Sequence, residues 1–81
     1  MNEVEIRRVL IEEIGNLAPE ADLAGLPVDA DLRDHLDLDS MDFLNLMIAL
    51  DRRLGIAVPE ADYGRIRTLK DALAYLGRRL P

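Results

Sequence analysis

Apolar positions recur at helical spacing from the first residues of the chain. The first such segment runs from Asn2 to about Leu17, and its apolar stripe consists of Ile6, Val9, Leu10, Ile14 and Leu17. Asn2 is the predicted N-cap, because its side chain can accept a hydrogen bond from an unpaired amide of the first turn. Gly15 and Pro19 mark the predicted end. We therefore expect a first helix over residues 2–17.

Two more segments show the same spacing. One begins at Ser40 and ends at about Leu54, where Gly55 occupies the position after the helix that favours glycine. The other opens on a capping box, Thr68 to Asp71. Its apolar stripe consists of Leu69, Ala72, Leu73, Leu76 and Leu80. Both segments are long enough for three or more helical turns.

Between these two segments, Pro59 favours the first turn of a short third helix that includes Tyr63 and Ile66. Almost no run of residues alternates between apolar and polar, as a half-buried strand would. The sequence therefore predicts an all-α fold: a four-helix bundle with three longer helices, a short third helix and a long loop between the first two helices.

The long loop covers residues 18–39 and shows no sustained period. A loop of this length usually has a function in a compact domain. The apolar residues predicted to pin it to the core, with or without a short helical turn, are Val28, Leu32, Leu36 and Leu38. From Asp29 to Asp42 it carries six acids and one base, Arg33. Its simplest interpretation is a solvated acidic loop.

Composition and charge disfavour several classes of function. The 81 residues, 49% of them hydrophobic, suit one small domain, 1–81, which we expect to be monomeric. Sixteen acids against ten bases give a net charge of −6. This balance disfavours binding to nucleic acid and to anionic membranes, and it favours protein partners with basic patches. The absence of cysteine excludes disulfides and thiolate metal sites. No signal peptide or membrane-inserting segment is recognisable, so we expect a cytoplasmic protein.

The second helix has more apolar surface than packing requires. Its core stripe consists of Phe43, Leu46, Met47, Leu50 and Leu54. Other apolar and polar residues lie off that stripe, namely Met41, Leu44, Asn45, Ile48 and Arg52. A second apolar patch beside acids is typical of a protein-binding surface. The alternative is that Met41 and Ile48 pack under the long loop.

Ser40 follows Asp39 at the start of this helix. The first backbone N–H groups of a helix lack intrahelical partners, and the helix dipole favours an anion there. A phosphate ester on the Ser40 hydroxyl would therefore lie in a favourable field. The simpler interpretation is that Ser40 or Asp39 only caps the helix.

The residue pattern around Ser40 resembles the attachment motif of acyl carrier proteins. The resemblance begins with Asp39-Ser40-Met41-Asp42 and Leu44-x-Leu46-Met47-x-Ala49-Leu50. It continues through Leu54-Gly55-Ile56-x-Val58-Pro59-Glu60-x-Asp62 and Ile66-x-Thr68-Leu69-x-Asp71-Ala72. Together these runs cover about half of the chain without a gap. The tripeptide alone is a weak signal, but with the turn and the cap that follow it becomes a strong one.

The resemblance implies a carrier that catalyses nothing itself. A phosphopantetheinyl transferase, with Mg²⁺, would attach the 4′-phosphopantetheine arm of coenzyme A to Ser40. The thiol of the arm would hold acyl groups as thioesters for acyl-transferring and ketosynthase-type enzymes of fatty-acid, polyketide, lipid A or related synthesis. In this family the acyl chain can fold back among the helices, and the candidate lining here is Phe43, Leu46, Met47, Ile66 and Leu69.

The resemblance also makes the second helix the surface that partner enzymes recognise. The candidate recognition residues are Asp39, Met41, Asp42, Leu44, Asn45, Ile48 and Arg52. Asn45 stands where the family usually has an acid, and Asp51-Arg52-Arg53 replaces an acidic run. Because altered charge at an interface changes partner choice, we expect a specialised member rather than the housekeeping carrier of fatty-acid synthesis.

Other functions fit the sequence less well. An unmodified acidic helical adaptor that binds basic partners is the alternative. A calcium loop beginning at Asp37 is rejected, since Asp42 replaces the required glycine and Ile48 the bidentate glutamate. A serine hydrolase would need a base beside Ser40, and His35 is the chain's one histidine. We expect no metal site and no catalytic residue.

Overall fold

The computed structural model describes residues 2–79, and within them the chain is helical. It contains α1 (Glu3–Leu17), α2 (Leu32–Leu36), α3 (Ser40–Leu54), a 3₁₀ helix (Glu60–Arg65) and α4 (Leu69–Arg79). The predicted all-α bundle with three longer helices is confirmed. The predicted short third helix is the 3₁₀ helix, and Ile66 is its C-cap rather than a member. Leu80, assigned to the last apolar stripe, lies outside the described residues.

Helix α1 begins where its cap was predicted and runs past its first predicted stop. The side chain of Asn2 accepts a hydrogen bond from Glu5 N at 2.9 Å. The helix continues through Gly15 and ends at Leu17, two residues before Pro19. A Cβ at Gly15 would lie 3.3 Å from Leu23 Cδ1, so the missing side chain lets the following loop pack against the helix. Gly15 therefore serves packing and does not terminate the helix.

The core lies mainly between α1, α3 and α4. The predicted stripe of α3 is buried throughout, with Phe43, Leu46, Met47, Leu50 and Leu54 all in one apolar cluster. On α4 the buried residues are Leu69, Ala72, Tyr75 and Leu76, whereas Leu73 is half-buried at the edge. Tyr75 was not predicted to be in the core. A buried tyrosine needs a hydrogen-bond partner for its hydroxyl, and the local sequence pattern does not show one. That hydroxyl donates to Asp62 Oδ2 at 2.6 Å and so ties α4 to the 3₁₀ helix.

The long loop reaches the core through a different set of residues from the one predicted. Leu32 and Leu38 are buried as expected, and Leu36 is half-buried. The prediction for Val28 is wrong, because its side chain is 46% exposed. Leu26 fills the core instead. The loop is held at Val28 by its backbone, whose carbonyl accepts a hydrogen bond from Lys70 N at 2.9 Å.

Helix α2 is fixed at both ends. Asp31 caps it by accepting hydrogen bonds from Arg33 N at 3.0 Å and Asp34 N at 3.1 Å. The same carboxylate accepts from Arg67 Nε at 2.9 Å, and Leu32 N donates to the carbonyl of Arg67 at 2.7 Å. At the other end Asp37 adopts the left-handed conformation, with φ of 56°. Aspartate tolerates this region better than most residues, and the turn leads directly into α3.

Acid is expected to weaken the anchoring of α2. Backbone donation from Asp34, followed by the hydrogen bond from Arg67, lowers the pKa of Asp31 from its ordinary value of 3.8. A carboxylate with a depressed pKa stabilises the fold above 3.8, and this contribution is lost as the pH falls through the lower, folded value. We therefore expect Asp31→Asn to melt a few degrees below the wild type at pH 7.

The measurement is thermal unfolding followed by circular dichroism from pH 7 to pH 2. The difference between the wild type and Asp31→Asn is expected to shrink at the acidic end, where both side chains are neutral. Asp29→Asn is the matched control, because Asp29 is exposed and accepts no side-chain hydrogen bond within residues 2–79. A difference that stays constant over the whole range would contradict the assigned role.

Candidate functional site

The start of α3 is organised by two aspartates that cap each other. Asp39 Oδ1 accepts a hydrogen bond from Asp42 N at 2.8 Å, and Asp42 Oδ2 accepts from Asp39 N at 3.2 Å. This reciprocal arrangement is a capping box. It assigns the cap to Asp39 and leaves the neighbouring serine without a capping role. At the other end Gly55, with φ of 71°, terminates the helix.

Ser40 is the first residue of α3 and is exposed. Within the described chain, no group forms a hydrogen bond with its hydroxyl. The backbone N–H groups of Ser40 and Met41 also lack protein acceptors there, since Asp39 satisfies the next two amides. An anion attached to this hydroxyl would meet unpaired N–H groups and the positive end of the helix dipole. The residues present therefore fit a phosphodiester at this position.

An open groove of about 360 Å³ adjoins Ser40 and is called the Ser40 groove below. Its other lining residues are Arg33, Met41, Phe43, Leu44, Glu60 and Tyr63. They come from α2, α3 and the 3₁₀ helix. The rings of Phe43 and Tyr63 meet edge to face, with centroids 5.5 Å apart. Because the hydrogen bond between Tyr75 and Asp62 holds the 3₁₀ helix to α4, this wall of the groove is firmly placed.

The structure brings the predicted recognition residues together on the exposed side of α3. Met41 is 61% exposed, Ile48 46% and Leu44 37%, so Met41 and Ile48 do not pack under the long loop. Asn45 and Arg52 are exposed beside them. Together with Asp39 and Asp42, these residues are called the α3 surface below.

Arg53, the second base near the end of α3, faces another direction. Its guanidinium pairs with Glu12 at 2.9 Å and Glu13 at 3.0 Å, both on α1. These acids raise the pKa of Arg53 above its ordinary value. The positive charge of Arg53 is thus already paired with the bundle, whereas Arg52 has no ion pair within residues 2–79.

The five candidate residues for an acyl pocket are all buried in the central apolar cluster. They are Phe43, Leu46, Met47, Ile66 and Leu69. Phe43 also lines the Ser40 groove and so connects the groove with the core. A chain entering the bundle from Ser40 would pass this ring first.

Within the described residues 2–79, no titratable side chain is hydrogen-bonded to the Ser40 hydroxyl. His35 lies on α2 and is exposed, and within residues 2–79 no hydrogen bond joins its imidazole to the serine. Over the same residues, no three histidine, aspartate or glutamate side chains are grouped to hold a metal ion. No described helix is long and apolar enough to cross a membrane.

Sequence reasoning did not identify the groove or its charged walls. Glu60 and Tyr63 are brought to Ser40 by the path of the chain after α3, which the local pattern does not encode. Arg33 did carry a signal, as the single base among the six acids from Asp29 to Asp42. Because residues 29–42 were interpreted as a solvated acidic loop, Arg33 was given no role.

Most of the chain matches one known protein family. Residues 5–76 match the family model described as a phosphopantetheine attachment site. This match begins within α1 and ends within α4, and it includes Ser40 and its groove. The chain belongs to the phosphopantetheine-binding acyl carrier protein family.

Curated members of the acyl carrier protein family are similar over most of their length. The acyl carrier protein of Campylobacter hominis is 29% identical over 72 residues, which are 89% of this chain and 85% of that protein. The acyl carrier protein of Renibacterium salmoninarum is 28% identical over 71 residues, 88% and 82% of the two chains. That of Zymomonas mobilis is 28% identical over 71 residues, 88% and 85%.

Membership of the acyl carrier protein family establishes the cofactor class. The matched domain is a phosphopantetheine attachment site, as in other acyl carrier proteins. Proteins of this family are carriers rather than catalysts. They interact with phosphopantetheinyl transferases and with biosynthetic enzymes.

Proposed function

We propose that this protein is itself an acyl carrier whose phosphopantetheine arm is attached to Ser40. The observation that carries the proposal is the position of this residue, an exposed hydroxyl at the start of α3 inside the matched domain. Ser40 is also the one serine of the chain. The single threonine, Thr68, uses its hydroxyl to accept a hydrogen bond from Asp71 N at 3.0 Å.

Attachment is a phosphoryl transfer that a phosphopantetheinyl transferase would catalyse with Mg²⁺. The Ser40 oxygen attacks the phosphorus that bears the pantetheine in coenzyme A, and a new O–P bond forms. The pyrophosphate bond breaks, 3′,5′-ADP leaves, and the hydroxyl proton passes to a base of the transferase. The chain's own contribution is an accessible hydroxyl beside N–H groups that stabilise the added negative charge.

The attached arm supplies a terminal thiol that holds acyl groups as thioesters, and this accounts for a chain without cysteine. Acyl-transferring and ketosynthase-type enzymes of fatty-acid, polyketide or related synthesis would act on them. We propose that Phe43, Leu46, Met47, Ile66 and Leu69 yield space for the acyl chain, since flexible aliphatic side chains repack readily. No catalytic residue is assigned to this chain.

The carrier is proposed to act as one monomeric domain comprising residues 1–81. The Cα radius of gyration is 11.5 Å. This supports a single compact domain, for which about 12 Å is expected at this length. The cytoplasmic location stays a prediction.

Intact mass spectrometry tests the attachment directly. Incubation of the purified chain with coenzyme A, Mg²⁺ and a promiscuous phosphopantetheinyl transferase is expected to add one arm of about 340 Da. Absence of a mass gain with several transferases would contradict the carrier proposal. It would favour the alternative function, an unmodified acidic adaptor whose α3 surface binds basic partners.

The α3 surface is proposed to be what the transferase and later enzymes recognise. Its support is an exposed apolar patch flanked by acids, which is typical of a protein interface. We expect Met41→Gln to raise the transferase KM roughly fivefold or more, because an apolar interface contact is often worth about 1 kcal/mol. Steady-state kinetics of arm transfer measure this.

Val4→Gln is the matched control for Met41→Gln. Val4 is 75% exposed on α1, outside the α3 surface, so its substitution removes a similar apolar side chain without touching the proposed interface. We expect its KM to equal that of the wild type. Equal KM values for the two variants would refute the recognition role of Met41.

A further inference from the structure

The Ser40 groove contains one positive charge in a strongly negative part of the chain. Arg33 is the only lysine or arginine between Arg8 and Arg52. Six acids lie between positions 29 and 42, and Asp39 and Asp42 flank the serine. A phosphodiester on Ser40 would add another negative charge to this cluster, which like-charge repulsion disfavours. A cation at the same groove offsets that repulsion.

Arg33 is not engaged elsewhere. Within residues 2–79 it forms no ion pair, although Glu60 lines the same groove. The nearby Asp31 is already occupied by Arg67 and by two amides of α2. The guanidinium of Arg33 therefore keeps its donors available for a ligand in the groove.

Arg33 is also held in place. Its carbon Cζ lies 5.9 Å from the centroid of the Phe43 ring, a distance at which a cation is attracted to an aromatic face. Its backbone carbonyl accepts hydrogen bonds from Asp37 N and, at 2.8 Å, from Leu38 N. The backbone of Arg33 is thus fixed, and its guanidinium lies near the buried ring of Phe43, one helical turn beyond Ser40.

We propose that Arg33 binds the phosphodiester that links the arm to Ser40 and thereby positions the arm along the Ser40 groove. This inference rests on the proposed attachment of the arm to Ser40. A guanidinium presents two parallel N–H donors that match two phosphate oxygens, and it stays charged at every pH of interest. Arg33 is a positioning residue, which fixes the root of the arm and takes no part in the chemistry at the thiol.

Nuclear magnetic resonance of the arm-loaded protein tests the inference. The protein is first loaded with isotope-labelled phosphopantetheine, and loading is verified by mass. In Arg33→Gln, the ³¹P resonance is expected to move towards that of a free phosphodiester. The order parameter of the first arm amide is expected to fall to the flexible range, below about 0.6. Arg33→Lys keeps the positive charge but loses the two parallel N–H donors. Its ³¹P shift and its order parameter are expected to lie between those of the wild type and of Arg33→Gln.

Arg8→Gln is the matched control, because Arg8 is an exposed base on α1, outside both the groove and the α3 surface, and without an ion pair within residues 2–79. Its ³¹P and arm spectra are expected to equal those of the wild type. A second readout needs no variant: the Nε–H resonance of Arg33 is expected to shift between the unloaded and loaded wild type.

The outcomes separate this inference from the proposed function. A mass gain with identical ³¹P and arm spectra in the wild type and Arg33→Gln would overturn the role of Arg33 and leave the carrier proposal intact. An unchanged Arg33 Nε–H resonance on loading would overturn it as well. No mass gain in the wild type would instead remove the proposed function on which the inference depends.

Discussion

Ser40→Ala is expected to abolish the gain of the phosphopantetheine arm while leaving the bundle folded. The variant removes the one hydroxyl that the start of α3 exposes. Its effect on stability is expected to be small, because Asp39 rather than Ser40 caps the helix and alanine is a good helix former. Intact mass after exhaustive incubation measures the loss, and circular dichroism verifies the fold.

The control for Ser40→Ala keeps the serine and removes another hydroxyl from the same groove. Tyr63 lines the groove, and Tyr63→Phe is expected to gain the full mass of the arm. If Ser40→Ala still gained the arm, attachment would have to occur elsewhere, and the carrier site assigned here would be wrong. If both variants failed, the groove itself would be required for transfer.

The sequence predicted α3 well because a helix that packs on one side shows its packing in its own periodicity. Phe43, Leu46, Met47, Leu50 and Leu54 recur at helical spacing, and all of them are buried. Helix ends were predicted where a local hydrogen bond decides them, as at Asn2 and Gly55. Both kinds of signal lie within a few residues of the feature that they specify.

The long loop was predicted less well because its packing depends on residues far along the chain. Leu26 enters the core and Val28 does not, and at Val28 the loop is bonded instead through its backbone carbonyl to Lys70 N on α4. The position of α2 likewise depends on the contact between Asp31 and Arg67. Contacts between residues so far apart in the chain leave no periodic pattern in the sequence. The sequence therefore predicted that the loop is anchored but not which residues anchor it.

The candidate site could be predicted from the sequence only in part. Its sequence motif singled out Ser40, but spacing alone left open whether Ser40 or Asp39 caps the helix. The capping box between Asp39 and Asp42 decides the question, and only coordinates display its two hydrogen bonds. The Ser40 groove is lined by residues of α2, α3 and the 3₁₀ helix, so no pattern within a single segment of the sequence predicts it.

Leu46→Ala is expected to lower the free energy of unfolding by about 2–5 kcal/mol. Leu46 is 1% exposed and lies at the centre of the stripe that α3 packs against the bundle. The loss combines the transfer free energy of the missing carbons with the cost of the cavity. A domain of this length has a total stability of roughly 4–12 kcal/mol, so the variant is expected to be close to unfolding. Urea denaturation measures the change.

Leu44→Ala is the matched control, because it makes the same change on the same helix at a residue that is 37% exposed. Helix propensity changes equally in both variants, so the difference between them reports burial. We expect Leu44→Ala to cost less than about 1 kcal/mol. Equal losses would show that the packing assigned to α3 is incorrect.

The same pair of variants tests whether an acyl chain enters the core. An octanoyl chain that folds back from Ser40 past Phe43 gains about 0.8 kcal/mol for each methylene that it buries. Leu46→Ala opens space at one of the five proposed lining residues. Octanoylation is therefore expected to raise the stability of Leu46→Ala more than that of the wild type or of Leu44→Ala. If octanoylation stabilises all three proteins equally, Leu46 does not line the acyl site. If it stabilises none of them, the chain stays outside the bundle, and Phe43, Leu46, Met47, Ile66 and Leu69 are core residues only.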